Sequence, residues 1–244
     1  MTELLYLKDS YLKDFDATLL AIDEEQNVII LNRTAFFPGG GGQPSDNGFL
    51  IVEGKRLNIQ KIIKNSGNIL HITEDDVRNL NIGERIAGHI NWDRRYQIMR
   101  THTAMHILCG VIFRDYRSSV TGGNMEPLIG RMDFEFETLN RELVKKIEKA
   151  VNQEVQKKLP VRTNILPRED AFQIPDLIRT KINLLPEAIR EIRTVEIVGL
   201  DLQADGGTHV KNTIEVGEIR LIDYKSKGKI NKRIYLEINA DQLL

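Results

Sequence analysis

Between residues 1 and 90 the apolar positions come in short bursts. Runs at 18–22, 28–32, 49–52, 57–63 and 69–72 are rich in β-branched residues, and polar or glycine-bearing breaks such as 23–27 and 65–68 separate them. Several short strands with regular turns predict a small barrel or sandwich. The pattern changes at Asn91-Trp92-Asp93. From there to Tyr116 no proline occurs and Gly110 is the one glycine, while apolar residues occupy most faces of 98–113, so a largely buried helix is predicted, with Asn91 or Asp93 as its N-cap. A second helix is predicted over 139–159, where Leu143, Ile147, Val151 and Val155 recur every four residues and Lys and Glu cover the other side. After Pro160 the strand pattern returns at 161–166, 192–198, 213–224 and 230–238, the last two flanking a hairpin loop at Lys225-Ser-Lys-Gly-Lys229. The break near residue 90 divides the chain into expected domains 1–90 and 91–244.

Composition narrows the class. The chain has 244 residues, 41% hydrophobic and 28% charged, which fits an ordered globular protein and argues against disorder. No apolar run reaches the ~18 residues of a membrane span, and the first residues hold no long apolar stretch of a secretory signal, so a cytoplasmic protein is expected. A single cysteine, Cys109, excludes a disulfide framework and any zinc site built mainly from thiolates. The net charge of −1 does not announce a nucleic-acid binder. Basic residues do cluster locally, at Arg94, Arg95 and Arg100, along the second helix (Lys145, Lys146, Lys149, Lys157, Lys158), and at Lys225, Lys227, Lys229, Lys232 and Arg233. Each cluster suits a phosphate backbone, and each reads more simply as a solvated face.

Three stretches carry candidate chemistry. His102-Thr-Ala-Met-His106 places two imidazoles one helical turn apart, able to grip one cation; the glutamate of a zinc-protease motif is missing. Asp205-Gly-Gly-Thr-His209 adds a carboxylate and a third imidazole around a glycine pair. Together, His102, His106, Asp205 and His209 form a donor set that suits zinc. The plainer alternatives are two unrelated histidines and a glycine turn bearing a surface histidine. Cys109 shares the helical face of His102 and His106, and reads as a small core residue rather than a ligand. The third stretch, 34–48, holds four consecutive glycines, Gly39 to Gly42, after Thr34-Ala-Phe36-Phe37-Pro. Such glycines permit unusual backbone angles and uncover N–H groups. Phe36 and Phe37 either anchor the segment or stack on a base, and Thr34 and Gln43 offer a hydroxyl and an amide for recognition.

In this order the three pieces resemble the editing domain of alanyl-tRNA synthetase, and more closely the free-standing AlaX editing proteins in their medium-length form. Residues 34–48 look like the family's glycine-rich motif, 91–109 like its Trp-Asp-x-Arg-Arg…Met-Arg-x-His-x-x-x-His helix, and 202–210 like its Cys-x-x-x-His segment, with Asp205 at the cysteine position. That departure replaces a soft thiolate with a hard oxygen. The resemblance covers nearly the whole chain. It implies an α+β fold: an N-terminal small β-barrel followed by an editing domain with helices packed on an antiparallel sheet. It also implies one zinc ion and a zinc-dependent hydrolase that deacylates Ser-tRNA(Ala), and Gly-tRNA(Ala), while sparing Ala-tRNA(Ala). The expected ligands are His102, His106, Asp205 and His209, the three histidines also being the expected catalytic residues. Substrate contacts are expected from Thr34, Gly40, Gly41, Gln43, Gly206, Gly207 and Thr208; Thr34, which matches the family's threonine before the aromatic-Pro-Gly run, is the candidate for reading the seryl hydroxyl. Neither a membrane nor a stable protein partner is implied. The competing readings are a zinc hydrolase of other acyl esters, a non-catalytic tRNA-binding module with structural zinc, and Ser-tRNA(Thr) editing, against which the glycine-rich segment speaks.

Overall fold

The computed structural model describes residues 1–178 and 189–240. The chain divides into two compact units, Met1–Tyr96 and Gln97–Leu244. In the first, β1 (Glu3–Leu4) pairs parallel with β4 (Arg33–Thr34). The other strands, β2 (Asp14–Asp23), β3 (Val28–Leu31), β5 (Gly48–Val52), β6 (Lys55–Asn65), β7 (Asn68–Thr73) and β8 (Arg85–Ile90), close a barrel in the order β2-β3-β7-β6-β5-β8. All neighbours in it are antiparallel. Side chains alternate across a strand, so one face of each fills the interior. On β7 the inward set is Ile69, His71 and Thr73. Leu19, Leu31, Leu50 and Leu57 are fully buried in the same core. A histidine thus occupies a barrel-core position that alternation alone assigns to an apolar residue. At Gly48 the β5 backbone runs so close to β8 that an added Cβ would lie 2.1 Å from the His89 carbonyl oxygen.

The second unit is α+β. Helix α1 (Trp92–Tyr116) begins in the first unit and is followed by β9 (Val120–Glu126), β10 (Ile129–Glu135), α2 (Arg141–Gln156), β11 (Val161–Pro167), the single turn α3 (Arg168–Ala171), β12 (Glu191–Ile197), β13 (Asp201–Ala204), β14 (Ile219–Ser226) and β15 (Asn231–Ile238). The strands form a four-stranded antiparallel sheet, β14-β15-β10-β9, and a three-stranded one, β11-β12-β13. Glycines set how closely α1 lies on the larger sheet: a Cβ at Gly123 or Gly130 would meet Met105 at 3.1 Å. Helix α2 covers the β14 edge. Asn152 bonds both the N–H and the C=O of Ile219, and Glu148 accepts from Leu221 N, standing in for a missing strand. No helix among the described residues is long and apolar enough to cross a membrane.

One predicted element is corrected. The expected strand over 213–224 opens instead as a 3-10 turn, Thr213–Val216, held by a capping box in which Asn212 and Glu215 satisfy each other's backbone N–H groups. Gly217, at φ 77°, then redirects the chain into β14.

Candidate metal centre and the glycine-rich segment

Helix α1 carries His102 and His106 on one face, and the chain after β13 brings in Asp205 and His209. Their ligand atoms, three imidazole nitrogens and a carboxylate oxygen, lie within 4.8 Å of one another. Asp205 sits at the centre: His209 Nε2 is 3.1 Å from its Oδ1, and Nε2 of His102 and His106 are 3.4 and 3.8 Å from its Oδ2. The histidines are 4–6% exposed. The ring centroids are 4.2–5.2 Å apart. The local turn is set by Asp205 itself, whose Oδ1 accepts from Gly207 N at 2.6 Å. That bond commits the N–H of Gly207, one of the expected substrate contacts.

The far side of the rings is tied down too. His106 Nδ1 meets Asp201 Oδ2 at 3.0 Å, and His209 Nδ1 meets Thr103 Oγ1 at 3.3 Å. Burial opposes charge on His106, yet the hydrogen bonds and charges of Asp201 and Asp205 outweigh it and lift the imidazole to about 9. Burial alone would raise the Asp205 carboxyl; the His102 charge and the three imidazole hydrogen bonds overcome it and hold it well below the usual range. His209, unlike His106, is pushed well down by burial and the neighbouring His102 charge. A crowded, buried set of nitrogens around one carboxylate is a donor set that fits zinc, which takes N and O ligands. Cys109 is buried and lies outside this group; Gln203 Nε2 donates toward its Sγ at 3.4 Å. Thr208, next to His209, is fully buried, while Gly206 has open space where a Cβ would go.

In the first unit, the glycine-rich segment is rooted rather than loose. Gly39 to Gly42 all take positive φ, from 60° to 141°, conformations that L side chains rarely adopt. Gly40 and Gln43 bond each other's backbones at 3.0 Å in both directions. Gly40 and Gly41 are exposed and Gln43 is buried. Phe36 and Phe37 are buried, against Phe15 and His71 and against Tyr6 respectively, so they anchor the segment and are not available to stack on a base. Thr34 is also fully buried. Its hydroxyl lies 2.9 Å from His71 Nε2. His71 Nδ1 faces the Ile29 carbonyl at 3.1 Å, so Nδ1 carries the proton, Nε2 accepts, and the Thr34 O–H donates to it. The Thr34 oxygen accepts in turn from Phe36 N at 3.2 Å.

Two of the three arginines near the start of α1, Arg95 and Arg100, are not on a solvated face. Arg95 is fully buried and binds both carboxylate oxygens of Asp46, the carbonyl of Ala35 at 2.7 Å and that of Ser10 at 3.0 Å. Arg100, 1% exposed, donates to the carbonyls of Val216 and Asn239 within the second unit. Lys232 is likewise spent, on the carbonyls of Gly228 and Lys229. Sequence reasoning missed Arg95, Arg100, Asp201, Thr103 and Gln203 as partners, because their roles depend on residues 49 to 139 positions away.

Known proteins match in the same places. Residues 9–94 match the family described as tRNA synthetases class II (A), and residues 192–235 the threonyl and alanyl tRNA synthetase second additional domain. The alanyl-tRNA editing protein AlaX-M of Saccharolobus solfataricus is 42% identical over 240 residues, covering 98% of this chain and 99% of its own. The AlaX-M of Methanosarcina barkeri is 38% identical over 242 residues, with the same coverage. The alanine–tRNA ligase of Saccharolobus islandicus is 34% identical over 227 residues, which is 91% of this chain and 25% of the ligase.

Proposed function

The chain belongs to the AlaX-M family of alanyl-tRNA editing proteins, and from that premise we propose that it is a deacylase hydrolysing the ester of Ser-tRNA(Ala) and Gly-tRNA(Ala) while sparing Ala-tRNA(Ala). The observation that carries the chemistry is the group of three buried histidines, His102, His106 and His209, around the half-buried Asp205, coupled to relatives that match over 98% of the chain. Nε2 of the three histidines and the Asp205 carboxylate would hold zinc. Zinc, when bound, supplies Lewis acidity toward an ester carbonyl or a water. The chain's own contribution is to keep the three Nε2 atoms turned to one point, to keep Asp205 ionised, and to keep bulk water out. Asp205 in place of a thiolate makes that point harder and more oxygen-rich.

Selectivity needs a group that is satisfied by serine and stranded by alanine. A buried partner for one hydroxyl supports discrimination of roughly 10⁴-fold. Thr34 is proposed for this contact. Its proton goes to His71 and one lone pair takes Phe36 N, so the second lone pair is the acceptor proposed for a seryl O–H. Gly40, Gly41, Gln43, Gly206, Gly207 and Thr208 are proposed to line the path of the aminoacyl ester.

The test is deacylation of Ser-, Gly- and Ala-tRNA(Ala) by the purified full chain, before and after chelation and zinc return. Cleavage of the first two, lost on chelation and restored by zinc, is expected. Cleavage of free seryl esters but not of Ser-tRNA(Ala), or tRNA binding with no hydrolysis in the zinc-loaded protein, would replace this reading with one of its competitors. His102→Ala and His209→Ala are each expected to lower zinc content and activity together.

A further inference from the structure

A metal-binding imidazole needs more than proximity. It must carry its proton on the nitrogen that faces away from the ion, and its ring must be held at one angle. His106 meets both needs through one residue that no matching motif singles out. Asp201 Oδ2 lies 3.0 Å from His106 Nδ1, on the side opposite Asp205. A carboxylate accepts and does not donate, so Nδ1 keeps its proton, and the nitrogen that gives up its proton to a bound ion is Nε2, on the cage side. Asp201 is 3% exposed. Burying a carboxylate costs free energy unless strong donors meet it, so this position is not a neutral filler.

Two further observations show that the placement is built. Gln203 Nε2 donates to the same Asp201 oxygen at 2.7 Å, fixing the carboxylate from below. One turn after His106 on α1 stands Gly110, where an added Cβ would lie 2.9 Å from Leu200 Cγ and 3.0 Å from Asp201 Cβ. The missing side chain lets the start of β13 rest directly on the helix, which brings Asp201 within reach of the His106 ring.

We infer that Asp201 is a positioning residue for the metal centre: it sets the His106 tautomer and ring angle so that Nε2 is delivered as a ligand, with Gln203 and Gly110 fixing Asp201 in turn. The inference rests on the zinc reading proposed above. Loss of such a partner lowers metal affinity by about 10–100-fold.

The experiment measures zinc affinity of the full chain by competition with a chromophoric chelator, with no tRNA present. Wild type is compared with Asp201→Ala, Asp201→Asn, Gly110→Ala and, as a control, Asp223→Asn at an exposed ion pair on β14. Asp201→Ala is expected to weaken zinc binding by about 10–100-fold. Asp201→Asn, which keeps shape and one acceptor oxygen, should lose less; Gly110→Ala should weaken binding by displacing Asp201; and the control should match wild type. Long-range proton–nitrogen NMR of the zinc-loaded wild type should show His106 protonated at Nδ1 alone. If Asp201→Ala fails to fold by circular dichroism, Asp201→Asn and the NMR tautomer carry the test. A folded Asp201→Ala that holds zinc within about twofold of wild type, or a His106 proton on Nε2, overturns the inference while leaving the zinc reading standing. A wild-type chain that takes up no zinc overturns both.

Discussion

Acidification should loosen the barrel through one residue, His71. The ring is fully buried; Nδ1 donates to the Ile29 carbonyl and Nε2 accepts from Thr34. A proton added to Nε2 would turn two donors toward each other and place a charge in an apolar core. Burial is the dominant cause, and it holds the imidazole at about 4, against an ordinary value of 6.5. Because the folded value lies below the unfolded one, the unfolded chain binds more protons between pH 6.5 and 4. Stability is therefore full above pH 6.5 and falls as the pH drops toward 4. The gap corresponds to on the order of 3 kcal/mol, which in a chain of this size moves the melting temperature by roughly 6–12 °C. Other groups titrate in that window, so the assay compares melting curves of wild type and His71→Gln at several pH values. The variant starts less stable, but its decline from pH 6.5 to 4 should be shallower by the His71 share. Parallel declines in the two proteins would refute the account of His71 as a neutral core residue.

Three further outcomes follow from the geometry. Asp46→Ala strands the buried Arg95 guanidinium and should cost about 3–5 kcal/mol by urea denaturation; a loss below about 1 kcal/mol would mean the pair contributes little. Gly48→Ala forces a Cβ against the His89 carbonyl and should abolish soluble barrel by circular dichroism, whereas Gly54→Ala, at φ +79° with open space around it, should cost only about 1 kcal/mol. Thr34→Val should narrow the ratio of Ser-tRNA(Ala) to Ala-tRNA(Ala) cleavage without changing zinc content, and Thr34→Ser should keep the ratio; an unchanged ratio in Thr34→Val removes Thr34 from the selectivity role.

Much of this molecule was written in local pattern. Strands β2, β3, β5, β6 and β7 and helices α1 and α2 stand where β-branched runs and four-residue spacings place them. Strand β9 escaped because its Val-Thr-Gly-Gly-Asn-Met-Glu carries few apolar residues; Gly123 serves the approach of Met105, a tertiary demand with no local signature. The 3-10 turn at Thr213–Val216 escaped because β-branched Thr213, Ile214 and Val216 imitate a strand, and the capping box overrides that propensity. The four ligand candidates were visible because each pair is close in sequence. Their supports were not: Asp201 reaches His106 across 95 positions, and Thr103 reaches His209 across 106. Buried Arg95 and Arg100 looked like surface charge because composition cannot distinguish a guanidinium that solvates carbonyls in a core from one that meets water.

Arg95 also isolates what lies between its contacts. It grips Ala35 on one side of the glycine-rich segment and Asp46 on the other, and the backbone of Asp46 closes on Phe37 at 3.0 Å. The stretch from Phe37 to Asp46 is thereby closed at its base into a loop of its own. Because closure entropy rises slowly with the number of residues enclosed, a residue added among the exposed glycines at Gly40 and Gly41 should cost the barrel little, since its strands are tied outside those posts.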